Sequence, residues 1–263
     1  MSLPFLISSI PRLIKSDPIL IYQMGKVGSS SIYTSIRQKT KNVFHVHRMS
    51  PSNIQAVLQG SIRIGAKPPD DQIGLLLHKW IVLPRRPAKL ISLFREPVSR
   101  NISAFFRNLD YFNNLNGESL ELNADELIKN FLINYQHKVP LEWFDIEMYQ
   151  TTGINVYKFE FPKCKGYQIV DLNPYKLLLM RHDLDDRKKS ELISDFVGIE
   201  EIDIGRENLS ATKDYGNLYN DFLRKVKLPS YYVEEMLYTK YAKHFFEQSE
   251  IDPIKRRWIL GMI

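Results

Sequence analysis

The amino-acid sequence predicts an α/β fold in which helices flank a parallel β-sheet. Two observations support this prediction. Short apolar runs that are typical of buried strands alternate along the chain with longer segments whose apolar residues recur at helical spacing. In addition, no linker, repeat or low-complexity stretch interrupts this alternation, so we expect residues 1–263 to form a single domain.

The strands are predicted from apolar runs bounded by turn-forming residues, at 18–24, 42–49, 88–94, 153–159 and 175–181. Helices are predicted at 29–39, directly after the strand that ends at 94, and at 124–136, 186–197, 213–227 and 230–247. The helix after residue 94 has a proline in its first turn and an apolar stripe of Val98, Ile102, Phe105, Phe106 and Leu109. The most loop-like segment is 112–125.

Charge and cysteine content limit the possible partners and the compartment. The chain carries 36 Lys and Arg residues against 30 Asp and Glu residues, a formal net charge of +6. This mild excess permits an anionic ligand, but no run of five like charges occurs, and we expect no nucleic-acid partner. Cys164 is the only cysteine, so no intrachain disulfide can form and a reducing compartment is expected. The N-terminal segment reads neither as a signal peptide nor as a membrane span, so we expect a cytoplasmic protein.

The loop between the first strand and the first helix, QMGKVGSSSI at 23–32, has the composition of an anion-binding turn. Backbone N–H groups that point outward at a helix start form a concave, positively polarised site. The residues that would build it are Gly25, Lys26, Val27, Gly28, Ser29, Ser30 and Ser31. Lys26 would add a point charge, although an ATP- or GTP-binding loop carries its lysine after the last glycine. A turn that binds nothing is the alternative.

A second candidate anion contact follows the predicted strand at 88–94. Arg95 comes directly after this strand, and Ser103 lies eight residues later on the predicted helix. Because ligands bind at the carboxyl ends of parallel strands, we expect Arg95 to face the same edge of the sheet as the glycine loop. Two such contacts indicate a ligand with two phosphate-like groups.

These two segments resemble motifs of the sulfotransferases that use 3′-phosphoadenosine 5′-phosphosulfate (PAPS). QMGKVGSSSI resembles their 5′-phosphosulfate loop, and ISLFREPVSRNISAFF resembles their 3′-phosphate motif, Arg-x-Pro-x-x-Arg-x-x-Ser, through Arg95, Pro97, Arg100 and Ser103. LLLMRHDLDD is similar to a later family strand that ends in Arg-Tyr-Glu-Asp-Leu, with departures at His182 and Asp183. HVHRM, EWFDIEMY and YTKYAKHFF resemble bacterial capsular polysaccharide synthesis proteins.

The resemblance implies a P-loop-like sulfotransferase fold and the transfer of a sulfuryl group from PAPS to a hydroxyl, expected to be that of a saccharide. It implies that the loop from Gly25 to Ser31 holds the phosphosulfate and that Arg95 and Ser103 hold the 3′-phosphate. Lys26 is the candidate for stabilising charge on the oxygen that bridges sulfur and the leaving phosphate. No metal is needed for this chemistry, and no metal-ligand spacing occurs in the sequence.

The acceptor hydroxyl needs a general base, and three histidines are candidates. His47 ends the predicted second strand, and His45 shares its strand face, so either could point into the site. His78, which precedes the third strand, is the competitor. A structural role is the alternative for each.

Two other functions fit part of this pattern. A P-loop nucleotide phosphotransferase would also bind phosphates, but the order of lysine and glycine in the loop argues against it. A non-catalytic protein that binds a polysaccharide or another anion would need the same cations. The acceptor and the oligomeric state do not follow from the sequence.

Overall fold

The computed structural model describes residues 10–63, 67–107, 109, 123–205 and 216–261. The chain divides into two compact units. The first unit comprises Met1–Phe94 and Glu142–Glu207, and the second comprises Arg95–Leu141 and Asn208–Ile263.

The first unit contains a five-stranded sheet. Its strands are β1 (Ile19–Tyr22), β2 (Val43–Val46), β3 (Ala88–Phe94), β4 (Tyr167–Asp171) and β5 (Tyr175–Arg181), in the spatial order β2-β1-β3-β5-β4. The pairs β1–β2, β1–β3 and β3–β5 are parallel, whereas β4 runs antiparallel to β5. The predicted mixed α/β class is therefore confirmed, but the sheet is mostly rather than wholly parallel.

The central strands are mostly apolar because both of their faces are covered. Leu20 and Ile21 of β1, Leu90 and Ile91 of β3, and Leu178 of β5 are fully buried. A strand of this kind has few solvent-facing positions, so its sequence is a largely hydrophobic run, although the exposed Lys176 near the start of β5 is an exception. The edge strand β4 differs, since half of the surface of its central Ile169 (51%) is exposed.

Both units contain helices. They are α1 (Ser29–Lys39), α2 (Pro51–Arg63), α3 (Gln72–Leu77), α4 (Pro97–Arg107), α5 (Ala124–Asn134), α6 (Val139–Trp143), α7 (Gln150–Thr152), α8 (Asp186–Val197), α9 (Gly216–Lys225), α10 (Ser230–Leu237), α11 (Lys240–Phe245) and α12 (Gln248–Leu260). Residues 10–15 are also helical. Two π-helical segments, His78–Val82 and Phe144–Tyr149, continue α3 and α6.

Several sequence predictions are confirmed with small shifts. The strand at 88–94 and the helices at 29–39 and 186–197 have the predicted limits. The helix at 230–247 is interrupted, because Thr239 begins a new helix by accepting a hydrogen bond from the N–H of Ala242 at 3.2 Å. The first residues of the helix predicted at 213–227, and most of the loop at 112–125, lie outside the described residues.

The strand predicted at 153–159 is wrong. Its central residues form a 3₁₀ turn, Val156–Lys158, in which the side chain of Asn155 accepts a hydrogen bond from the N–H of Tyr157 at 3.0 Å. Ile154 and Val156 are buried in alternation. This pattern imitates a strand although the backbone forms a helical turn at Val156–Lys158.

The second unit has an aromatic core. The predicted apolar stripe of α4 is confirmed, and its Phe105 and Phe106 pack against rings from α5 and α9. The ring centroids of Phe105 and Phe131 are 5.5 Å apart, and those of Phe106 and Phe222 are 5.1 Å apart. Both pairs meet edge to face, which is the favourable arrangement for aromatic rings.

Candidate anion-binding site

The loop of residues 23–28 joins β1 to α1 in the first unit. Gly28 is the N-cap of α1 and has a left-handed backbone (φ 79°, ψ 22°), and it provides no side chain to cap the helix. The first turn of α1 contains no acidic residue. The N-terminal N–H groups of α1 therefore carry the positive end of the helix dipole without a carboxylate from the same turn.

Lys26 also has a left-handed backbone, with φ 74°. For a residue with a Cβ atom this conformation is strained by about 1 kcal/mol or more, and such strain is concentrated at functional sites. The neighbouring Val27 is fully buried and anchors the loop in the interior. The loop is therefore held in a strained conformation by its surroundings and is not a relaxed turn.

Behind the loop, a buried polar cluster fixes the start of α1. The side-chain amide of Gln23 donates a 2.7 Å hydrogen bond to the hydroxyl of Ser29. The same hydroxyl lies 2.9 Å from Nε2 of His45, and the Gln23 amide lies 3.1 Å from that nitrogen. Ser31 donates to the carbonyl of Gly28 at 3.3 Å. The hydroxyls of Ser29 and Ser31 thus hold the loop, while Ser30 is exposed.

His45 belongs to this cluster as a neutral ring. Burial, and to a smaller extent the nearby His47, lower its pKa to about 3. A neutral imidazole can accept a hydrogen bond at Nε2, which suits the hydroxyl of Ser29. His45 therefore has a structural role in holding α1 to β2.

His47 lies beside the loop. Its Nδ1 is 2.9 Å from the main-chain carbonyl of Gln23, so Nδ1 carries the proton and Nε2 is the acceptor of the neutral ring. A Cβ atom placed on Gly25 would lie 3.7 Å from this Nε2. The carbonyl of His47 accepts a 3.0 Å hydrogen bond from the indole of Trp143, which fixes the end of β2.

His78 lies in a different environment, in the π-helical segment after α3. Burial lowers its pKa, and the charge of the Glu147 carboxylate opposes that shift. The histidine that the structure records against Gly25 is His47 rather than His78.

Glu147 is a buried carboxylate of the π-helical segment that continues α6. It is 2% exposed and accepts hydrogen bonds from the hydroxyl of Tyr22 at 2.7 Å, the N–H of Met49 at 2.6 Å and the N–H of Ser50 at 3.0 Å. Asn53 donates to its second oxygen at 2.7 Å. This carboxylate ties the end of β1 to the start of α2.

His182 also reaches the loop, and the sequence reading noted it only as a departure from the family pattern. It follows β5, and its N–H donates a 2.8 Å hydrogen bond to the carbonyl of Phe94. A Cβ atom placed on Gly28 would lie 2.9 Å from Cδ2 and 3.4 Å from Nε2 of this ring. His182 therefore lies beside the exposed glycine that caps α1.

The residues predicted to hold a 3′-phosphate belong to the second unit. The hydroxyl of Tyr241 donates to the carbonyl of Arg95 at 2.8 Å and accepts from its N–H at 3.2 Å. Burial lowers the pKa of the Arg95 guanidinium, and the neighbouring Tyr219 and Glu96 oppose that shift. Ser103 is buried on α4. The guanidinium of Arg100 packs inside the unit, where it donates to Asn101 at 3.1 Å and to Tyr135 at 3.0 Å.

The structure thus gathers the loop residues, His45, His47 and His182 within the first unit. Arg95 and Ser103 lie in the second unit. Among the described residues, no group of three or more His, Cys, Asp or Glu side chains is placed to hold a metal ion. Within the same ranges, no helix has both the length and the apolar character that crossing a membrane requires.

Comparison with known proteins gives one match. Residues 118–247 match a family model described as "Putative capsular polysaccharide synthesis protein". Neither the curated proteins nor the solved structures provide a match to the chain. The matched segment includes Glu147 and His182 but not the loop or Arg95, so over this segment the chain is similar to a family connected with polysaccharide synthesis.

Proposed function

We propose that this protein is a sulfotransferase that moves a sulfuryl group from PAPS to a hydroxyl of a saccharide. The observation that carries the proposal is the loop of residues 23–28, in which a strained lysine precedes a helix start that no side chain of Gly28 caps. The similarity to a family named for capsular polysaccharide synthesis supports a saccharide as the acceptor.

The loop would hold the phosphosulfate group of PAPS. The first N–H groups of α1 would donate hydrogen bonds to this anion, as they do to phosphates at other helix N-termini, and Lys26 would add its positive charge. Because the hydroxyl of Ser29 belongs to the cluster with Gln23 and His45, and that of Ser31 donates to the carbonyl of Gly28, backbone N–H groups rather than these hydroxyls would be the main donors. The resemblance to sulfotransferase motifs assigns the 3′-phosphate to Arg95 and Ser103.

The reaction would be an in-line displacement at sulfur, by analogy with phosphoryl transfer. The acceptor oxygen forms a bond to sulfur while the bond between sulfur and the bridging oxygen breaks. The hydroxyl proton passes to Nε2 of His47, whose Nδ1 proton is already fixed by the carbonyl of Gln23. Lys26 stabilises the charge that builds on the bridging oxygen, and the products are a sulfate ester and 3′-phosphoadenosine 5′-phosphate.

The test is a calorimetric titration of the full chain with 3′-phosphoadenosine 5′-phosphate, without metal and with ATP as the control. We expect the bisphosphate to bind at least tenfold more tightly than ATP, because only the bisphosphate carries a 3′-phosphate. Tighter binding of ATP that depends on magnesium would instead support a nucleotide phosphotransferase. If neither nucleotide binds, a titration with an acidic polysaccharide tests the non-catalytic alternative.

A further inference from the structure

We propose that His182 is an anion-binding residue of the loop and donates a hydrogen bond from Nε2 to the group held at the start of α1. This inference rests on the proposed function, since it needs an anion at that place. His182 lies outside the residues that the resemblance assigns to PAPS, and it stands where the chain departs from the family pattern.

The position of His182 is fixed by the sheet. β5 pairs in parallel with β3, and the last pair in the register is Phe94 with Arg181. The next residue, His182, extends this pairing by one hydrogen bond, from its N–H to the carbonyl of Phe94 at 2.8 Å. Its side chain therefore starts from the carboxyl end of a central strand, where ligands of α/β sheets bind.

The two residues that flank His182 form a salt bridge with each other, which restricts the backbone at this position further. The guanidinium of Arg181 binds the carboxylate of Asp183 through two hydrogen bonds, from Nε at 2.9 Å and from Nη2 at 2.8 Å. Burial alone would raise the pKa of Asp183, but the hydrogen bonds and charge of Arg181, with a smaller contribution from His182, hold it below its ordinary value. The carboxylate is therefore ionised, and its pairing with Arg181 fixes the chain on either side of His182, whose imidazole can donate a hydrogen bond from a ring N–H.

The ring of His182 is in close contact with the loop. A Cβ atom on Gly28 would lie 2.9 Å from Cδ2, which is closer than real Cβ atoms approach a neighbour. The edge of the ring that carries Nε2 thus faces the residue that caps α1, whose next N–H groups begin the helix. An anion bound to these N–H groups would lie beside an imidazole that can donate to it.

The two histidines at the loop would then have different tasks. His47 approaches Gly25 with an acceptor nitrogen, because its other nitrogen binds the carbonyl of Gln23. His182 approaches Gly28, next to the positive end of the helix dipole. A transfer reaction needs a group that accepts the proton and a group that donates a hydrogen bond to the anion, and the two histidines would supply one each.

The experiment compares wild type, His182→Ala and His182→Gln in titrations with two probes, 3′-phosphoadenosine 5′-phosphate and adenosine 3′-phosphate. The second probe lacks the 5′-phosphate that His182 would contact. We expect His182→Ala to weaken the binding of the bisphosphate about tenfold or more, because a hydrogen bond to a charged group is lost. The affinity for adenosine 3′-phosphate should not change. His182→Gln, whose amide can donate from a similar position, should recover part of the affinity.

Three results would overturn the inference. Unchanged affinity of His182→Ala for the bisphosphate would show that the ring does not contact the anion, while the proposed function would stand. Equal weakening of both probes, without recovery in His182→Gln, would show that the ring only supports the fold. A wild-type protein that binds neither probe would remove the proposed function and this inference with it.

Discussion

The hydroxyl of Tyr22 donates a 2.7 Å hydrogen bond to the carboxylate of Glu147, 125 residues further along the chain. Both residues are buried, and the same carboxylate oxygen accepts the N–H groups of Met49 and Ser50. Burial raises the pKa of Tyr22 well above its ordinary value, and the charge of Glu147 raises it further, so the phenol stays protonated and donates. This contact holds the end of β1, from which the loop of residues 23–28 departs.

Replacing Tyr22 with phenylalanine should therefore lower the free energy of unfolding by about 2 kcal/mol, because a buried carboxylate loses one of its donors. Denaturation by urea, followed by circular dichroism, measures this change. Tyr149→Phe is a matched control, since Tyr149 is 44% exposed. A loss in Tyr22→Phe no larger than that of the control would contradict the importance of this contact.

His45 should make the stability depend on pH. Its pKa is about 3 in the folded protein, against an ordinary value of 6.5 in the unfolded chain. Its contribution is therefore fully present above pH 6.5 and is lost as the pH falls toward 3, because the unfolded chain takes up the proton first. In His45→Asn, the unfolding free energy should fall less steeply with acid over this range, by up to about 1.4 kcal/mol per pH unit. Equal slopes for variant and wild type would show that His45 titrates normally in the folded state.

Removing the charge of Lys26 should act on the chemical step. We expect Lys26→Ala to lower kcat by about two orders of magnitude or more, as the loss of one strong electrostatic donor does in other enzymes. Steady-state rates on an acceptor identified by screening with PAPS provide the measurement. Lys41→Ala, at an exposed position after α1, is the control. Near-normal turnover of Lys26→Ala would exclude the mechanism proposed for this residue.

Arg95→Ala should mainly weaken the binding of the cofactor product. A charged hydrogen bond to the 3′-phosphate contributes about 1.5–3 kcal/mol, so the dissociation constant of 3′-phosphoadenosine 5′-phosphate should rise about tenfold or more in the variant. The affinity for adenosine 5′-phosphate, which has no 3′-phosphate, should not change. Arg107→Ala is the control, because Arg107 is exposed at the end of the same segment. A loss of affinity that is equal for both nucleotides would assign Arg95 a structural role.

The two candidate bases can be separated by comparing His47→Ala with His78→Ala. We expect the first to lower kcat by a factor of about 100 or more, since general base catalysis typically contributes that much, and the second to lower it less. The binding of 3′-phosphoadenosine 5′-phosphate should remain in both variants, which a titration checks. Normal turnover of His47→Ala, with a large loss in His78→Ala, would reverse the assignment.

Sequence reasoning recovers those elements whose cause is local. β3 is a run of seven residues that is mostly apolar because both faces are covered, and α8 is capped by Asp185, whose carboxylate accepts N–H groups of Arg187 and Lys188. Both elements have the predicted limits. The edge strand β4 was missed because partial exposure leaves it without a continuous apolar run, as Ile169 illustrates.

The candidate site is only partly visible in the sequence. The loop residues are contiguous, so their glycines, serines and lysine form a motif that can be read directly. Glu147 and His182 contact residues that lie more than a hundred positions away along the chain, and no local sequence spacing indicates these contacts. One signal was present for His182, namely that it directly follows the predicted strand at 175–181.

The left-handed backbone of Lys26 sets two kinds of selection against each other at a single position. Glycine would adopt this conformation without steric cost, so selection for thermal stability alone should replace Lys26 with glycine. Selection for the proposed transfer should retain the lysine, because in that mechanism its charge stabilises the bridging oxygen of the leaving group. A library randomised at residue 26 and sorted separately for these two properties should therefore diverge, with one population enriched in glycine and the other in lysine.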